Sequence, residues 1–186
     1  MSDEKIIGQL IREAMDKESF GQYEEAISIC QKVVELKNNI PEVHYTMGCC
    51  YGNLANHEKA IEAYKEAVDL QSDYKQAIIN LGVEYFNIQK YQESESYFKK
   101  AIEVDPADAR SHFNLGNSYY YQERYDLAVQ SYVQACELNP GHANAHYCAA
   151  ECFFKTGDMN QAVDYATKLT HLDEELANEI FRLISE

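Results

Sequence analysis

The 186-residue chain has no tryptophan, only 3 prolines and 8 glycines, and few basic residues, 16 Lys and Arg against 31 Asp and Glu. So little proline and glycine excludes long turn-rich linkers. With no low-complexity run to mark a boundary, a single domain over residues 1–186 is expected. The shortage of basic residues leaves a formal charge of -15 and a pI near 4.7. A field of that sign repels phosphate backbones and anionic headgroups, so nucleic acid is not an expected partner. Long apolar runs are missing too: MSDEKIIGQLIREAMDKE mixes charge with short apolar pairs and holds neither a signal peptide nor a span. Membrane insertion is not expected, and the expected location is cytoplasmic.

Catalytic apparatus is also absent: there is no Gly-rich phosphate loop, no Gly-x-Ser-x-Gly elbow and no His-Glu-x-x-His pair. Carboxylates are plentiful, but residues such as Glu62, Glu66, Asp69, Glu93 and Glu95 fall at outward places that a solvated surface explains. The expectation is a protein that is not an enzyme and needs no cofactor.

What is present is a core and a rhythm. Hydrophobic residues make up 46% of the chain, enough to fold, and the six cysteines are expected as free thiols in a reducing compartment. Gly48, Gly82, Gly116 and Ala150 recur at a step of 34 residues. In the same step come Tyr51, Tyr85, Tyr119 and Phe153; then Ala60, Ser94, Ala128 and Ala162; then Tyr64, Phe98 and Tyr132; and then Ala67, Ala101 and Ala135. Pro106 and Pro140 are in phase as well. Within each period apolar residues recur at helical spacing in two segments, as in Ala26, Ile27, Cys30, Val33 and Val34, which describes a helix hairpin. A lone hairpin cannot bury both faces, so stability has to come from stacked neighbours: small places allow close approach and aromatic places fill the volume.

This order of a large residue, Leu-Gly, Tyr, Ala, an aromatic, Ala and Pro resembles the tetratricopeptide repeat (TPR) family, most clearly at Leu115, Gly116, Tyr119, Ala128, Tyr132, Ala135 and Pro140. His44, Ile78, His112 and His146 stand where the family often has its first Trp. The resemblance implies an all-α fold, a right-handed α-solenoid of stacked antiparallel hairpins, with repeats at about 7–40, 41–74, 75–108, 109–142 and 143–176. The end repeats depart from the pattern at Lys17, Ala166 and Glu174. A capping helix is expected over about 174–185, with Asp173 as N-cap. It should bury Leu176, Ile180, Leu183 and Ile184 and leave Glu175, Asn178, Glu179, Arg182 and Glu186 towards water. Alternatively, Phe181 and its neighbours face a partner, another copy of the chain included.

In the family the first helix of each repeat lines a concave groove. Carried over place by place, the expected peptide-binding residues are Tyr45, Asn53, Asn80, Phe86, Asn87, Arg110, Phe113, Asn114, Asn117, Tyr120, Tyr121 and Tyr147, within a wider wall that includes Thr46, Cys49, Ile79, Val83, Asn144, Cys148, Phe154, Glu151 and Lys155. At the inward places Glu18, Glu42 and Glu151 balance Arg12, Arg110 and Lys155, so a neutral groove is expected inside an acidic chain. Tyrosine offers contact area at low entropic cost and asparagine can pair with peptide groups. The family's clamp for a terminal carboxylate is not reproduced: its five places hold Tyr45, Cys49, Asn80, Arg110 and Asn114.

His142, His146, Cys148 and Cys152 tempt a metal reading. At about 100° per residue the His pair and the Cys pair point to different sides of a helix, so no metal is expected there. The expected function is a non-catalytic scaffold or adaptor whose partner is a protein or peptide held in the groove. The alternatives are a self-assembling subunit, a homo-oligomer through its terminal repeats, and a dedicated chaperone for a secreted substrate.

Overall fold

The computed structural model describes residues 3–185. Among them regular structure is entirely helical: α1 (Asp3–Ser19), α2 (Tyr23–Leu36), α3 (Pro41–Asn53), α4 (His57–Leu70), α5 (Lys75–Asn87), α6 (Tyr91–Val104), α7 (Ala109–Tyr120), α8 (Tyr125–Leu138), α9 (Ala143–Thr156), α10 (Met159–Thr170) and α11 (Glu174–Leu183). The all-α expectation holds. The helices gather into two compact units, one ending at Lys90 and one beginning at Tyr91, so the division falls between α5 and α6, inside the third 34-residue period.

The turn inside each period is the same device. Gly21, Ala55, Gln89, Glu123 and Gly157 all have left-handed backbones, with φ of 74°, 55°, 61°, 58° and 86°. The next residue's N–H reaches back to close the helix: Asn56 to the Tyr51 carbonyl at 2.9 Å, Arg124 to Tyr119 at 3.0 Å, Asp158 to Phe153 at 2.9 Å. That is the Schellman ending, which satisfies the orphan carbonyls of the first helix. The second helix then starts on a cap where the sequence supplies one, as at Asn56 and Asp158, whose side chains accept from Lys59 N–H and Gln161 N–H.

Packing follows size. A Cβ added to Gly48 would stand 2.6 Å from the Tyr64 ring, and one added to Gly116 2.6 Å from the Tyr132 ring, so the bare backbone of one helix is the seat for the aromatic of the next. The small places Ala60, Ser94, Ala128 and Ala162 are wholly buried. In the first period the aromatic is replaced by Cys30 and the glycine by Ala14, and the two share one cluster with Ile7, Ile29, Val33 and Val43. A smaller partner leaves room for the methyl.

The histidines at the large first place have a structural task. Nε2 of His44, His112 and His146 lies 2.9, 3.0 and 3.0 Å from the carbonyls of Asn38, Pro106 and Pro140. A carbonyl only accepts, so each ring donates from Nε2 and pins the loop that precedes its helix. His146 is 5% exposed, and burial pushes its pKa below the ordinary value despite the bond to Pro140. Its Nδ1 is buried without a partner. His142 caps α9 through Nδ1, which accepts from Ala145 N–H at 3.2 Å.

Glu95 departs from the expected outward position. It is 9% exposed, and its oxygens receive Lys99 at 2.7 Å, Arg124 at 2.7 Å and Gln122 at 3.1 Å. Burial pushes this carboxyl up, but hydrogen bonds from Lys99 and Gln122 and the charges of Lys99 and Arg124 outweigh it, so the pKa lies below the usual value. At the C-terminal end, Asp173 caps α11 by accepting from Leu176 N–H at 3.1 Å. Ala177 and Ile180 are buried, Leu176, Leu183 and Ile184 half-buried, and Glu175, Asn178, Glu179 and Arg182 exposed. Glu186 lies outside the described residues.

Candidate functional site

The residues named for the inner wall sit on α3 and α5 in the first unit and on α7 and α9 in the second, except Tyr121, which is the C-cap that follows α7. None of Tyr45, Asn53, Asn80, Phe86, Asn87, Arg110, Phe113, Asn114, Asn117, Tyr120, Tyr121 and Tyr147 is buried: Asn53, Asn87, Arg110 and Tyr121 are exposed and the others half-buried. Two members of the wider wall are sealed. Ile79 is 4% exposed, and Thr46, 6% exposed, turns its hydroxyl back to the Glu42 carbonyl at 2.9 Å.

In the first unit Asn80 Nδ2 donates to the Tyr64 hydroxyl at 3.3 Å and to the Tyr45 hydroxyl at 3.5 Å. The Tyr45 ring lies 5.1 Å from Tyr74 and 5.8 Å from Tyr64, and its phenol is pushed well above the ordinary value, first by burial and then by Cys49. Asn53 Nδ2 donates to the Cys49 carbonyl at 2.9 Å while its Oδ1 accepts from Tyr23 at 3.2 Å. Beside these groups is a hollow of about 290 Å³ lined by Glu18, Cys49, Gly52, Asn53, Tyr64, Asn80, Val83 and Glu84. Small-molecule pockets start near 300 Å³, so the hollow suits one side chain better than a cofactor. It is not neutral. Glu84 was absent from the inward places read from the sequence, yet it faces the hollow; its Oε2 is 2.7 Å from His57 Nδ1. The available signal was its place in the period, where the other repeats carry Asp16, Cys50, Ser118 and Cys152.

In the second unit much of the wall is tied to itself. Tyr120 donates to Glu151 at 2.5 Å, Tyr147 to Glu179 at 3.0 Å, and Tyr132 to Asn117 Oδ1 at 2.7 Å. Burial and then Glu179 push the Tyr147 phenol up to about 12. Phe113 packs on His142 at 4.7 Å and on Tyr132 at 5.7 Å. Lys155 lies over the Tyr120 and Tyr125 rings and 3.6 Å from Glu151. Tyr121, 56% exposed, stacks on Tyr91 at 5.2 Å. Asn114 is half-buried, and its side chain makes no hydrogen bond among the described residues.

The two thiols of the wall are not activated. Burial raises the thiol of Cys49 and pushes that of Cys148 up to about 12, so both stay protonated near neutrality. Among the described residues no three His, Cys, Asp or Glu side chains converge as a metal site, and no helix is long and apolar enough to cross a membrane.

Models of the tetratricopeptide repeat match residues 17–40, 41–74, 76–108 and 97–130, and a TPR repeat model matches 116–157. Among solved structures, MamA 41-end from Desulfovibrio magneticus RS-1 superposes with a TM-score of 0.85, covering 94% of this chain and 98% of that one at 22% identity. A further MamA crystal structure gives 0.83, with 89% and 96% covered at 25% identity. YrrB, described as a TPR protein with an unusual peptide-binding site, gives 0.82, with 93% and 90% covered at 20% identity. Such identities speak for the fold. No curated protein matches the sequence. The period of 34, the glycine seats under the aromatic rings and the matched segments across residues 17–157 agree: the chain belongs to the tetratricopeptide repeat family.

Proposed function

We propose that this chain is a non-catalytic scaffold that holds polypeptide segments of partner proteins, on the inner-wall face of α3 and α5 in the first unit and on that of α7 and α9 in the second. The observation that carries the reading is Asn114, half-buried on α7, whose side-chain amide makes no hydrogen bond among the described residues. An amide with an idle donor and acceptor matches a peptide group, and the exposed Tyr121 ring nearby in sequence supplies apolar contact. The peptide-binding site named for YrrB on the same fold supports the same reading. Partner capture from the native cell tests it: Asn114→Ala with Tyr121→Ala is expected to abolish capture with an unchanged circular dichroism spectrum, and retained capture refutes the assignment.

A second reading has its own support. Met15, Phe20 and Leu36 of the first period are 51%, 79% and 55% exposed, apolar side chains that self-association through a terminal repeat would cover. Sedimentation equilibrium over a range of concentrations decides it, since a monomer at every concentration excludes assembly.

A further inference from the structure

The hollow in the first unit has donors and acceptors out of balance. Its amide donors are turned onto the protein: Asn80 onto the Tyr64 and Tyr45 hydroxyls, and Asn53 onto the Cys49 carbonyl. Its carboxylates are not. The Glu18 carboxylate forms no hydrogen bond or ion pair among the described residues. Glu84, its side chain 9% exposed, uses Oε2 for His57 and leaves Oε1 without a partner among the described residues. That oxygen lies 2.9 Å from where a Cβ on Gly52 would stand, so the missing side chain at 52 keeps it open to the hollow. No Lys or Arg lines the space. A carboxylate oxygen open to the hollow and free of a protein donor is matched by a guest that supplies charge together with N–H groups.

We infer that this hollow is a receptor for one cationic side chain, lysine or arginine, carried by the bound polypeptide segment. The inference rests on the partner-binding reading and adds the chemistry of one contact. The volume of about 290 Å³ admits a long aliphatic stem, Val83 offers it an apolar wall, and Glu18 and Glu84 receive the head. Burial also raises the Glu18 carboxyl above its ordinary value, the condition of a charge that lacks its counter-ion. A neutral or acidic side chain would leave the same oxygens desolvated and unpaired.

The test is a nuclear magnetic resonance titration of the isotope-labelled full chain with two peptides, acetyl-Ala-Arg-Ala-amide and the same peptide with neutral citrulline for arginine. The arginine peptide is expected to shift the amide signals of Gly52, Asn53, Asn80 and Val83 with an affinity at least about tenfold above that of the citrulline peptide. Glu18→Gln with Glu84→Gln removes the difference. Glu18→Gln alone, at a carboxylate that makes no hydrogen bond or ion pair among the described residues, reduces it several-fold and keeps the test valid if loss of the His57 contact unfolds the double variant. Equal shifts from both peptides, shifts elsewhere only, or none up to the solubility limit overturn the receptor. Loss of partner capture on substituting Asn114 and Tyr121, with the amides of the hollow unmoved by arginine, would leave the scaffold reading standing and remove this one; shifts in the hollow with capture retained would remove the Asn114 and Tyr121 assignment and leave the receptor standing.

Discussion

Gly116→Ala puts the packing account at risk. The added Cβ would meet Tyr132 Cδ1 and Cε1 at 2.6 Å and Cζ at 3.0 Å. Carbon atoms rest at about 3.5–4.0 Å, so the ring has to recede by roughly 1 Å. It has little freedom to do so: Tyr132 is 1% exposed, its hydroxyl is held by Asn117 at 2.7 Å, and Phe113 packs at 5.7 Å. Overpacking costs about 1–3 kcal/mol, here at the upper end, and loosening the hydroxyl bond adds about 1 kcal/mol. Alanine returns about 1 kcal/mol of helix propensity, so a net loss of roughly 2–3 kcal/mol is expected. Gly8→Ala is the matched control. It also lies within a helix, but the nearest atom to its added Cβ is Arg12 Nη1 at 4.0 Å, so propensity acts alone and the chain gains up to about 1 kcal/mol. Urea unfolding followed by circular dichroism, with midpoints compared at unchanged slope, measures both. A Tyr132→Leu background should shrink the cost of Gly116→Ala, because the double-mutant cycle isolates the ring contact. If Gly116→Ala is as harmless as Gly8→Ala, the seat for the ring does not exist and the explanation of the 34-residue period fails.

The left-handed turns give a second prediction: Ala55→Gly and Glu123→Gly should each raise stability by about 0.5–1 kcal/mol, since a left-handed L-residue costs about 1–2 kcal/mol and glycine gives back part of that as chain entropy. Gly157→Ala, at φ 86°, should lose about 1 kcal/mol, and the same urea midpoints score all three. The third concerns pH. Burial depresses His146 below its ordinary 6.5, so the unfolded chain takes up the proton first: stability is level above 6.5, falls as the pH drops below it, and levels off once the folded imidazole is also charged. His146→Gln should flatten that slope, and an unchanged slope would show that the ring titrates freely.

Much of the fold could be read from the chain because the family pattern is written in residue size. Gly116 against Tyr132 and Gly48 against Tyr64 recur as pairs in sequence long before they are seen to touch. The inner wall was less legible. Helical place predicts which way a side chain leaves its helix, but Thr46 and Ile79 leave towards the wall and are covered, while Glu84 reaches the hollow from a place not counted as inward. Glu95 shows the same limit: its spacing is that of a surface residue, and only the meeting of α6 with the α7–α8 turn supplies Arg124 and Gln122 to bury it against.

The sequence by itself determined the helices, their period of 34 and the order in which small and large residues must meet, because these depend on local propensity and on volumes that repeat along the chain. Only the tertiary structure decided which polar groups remain unpaired. Hydrogen bonding across residues 15 to 35 apart, Tyr132 to Asn117 or Asn80 to Tyr45, consumes some of the wall and leaves the side chains of Asn114 and Glu18 and one oxygen of Glu84 without a hydrogen bond among the described residues. Whether a donor meets an acceptor is set by positions in space, which no spacing along the chain records.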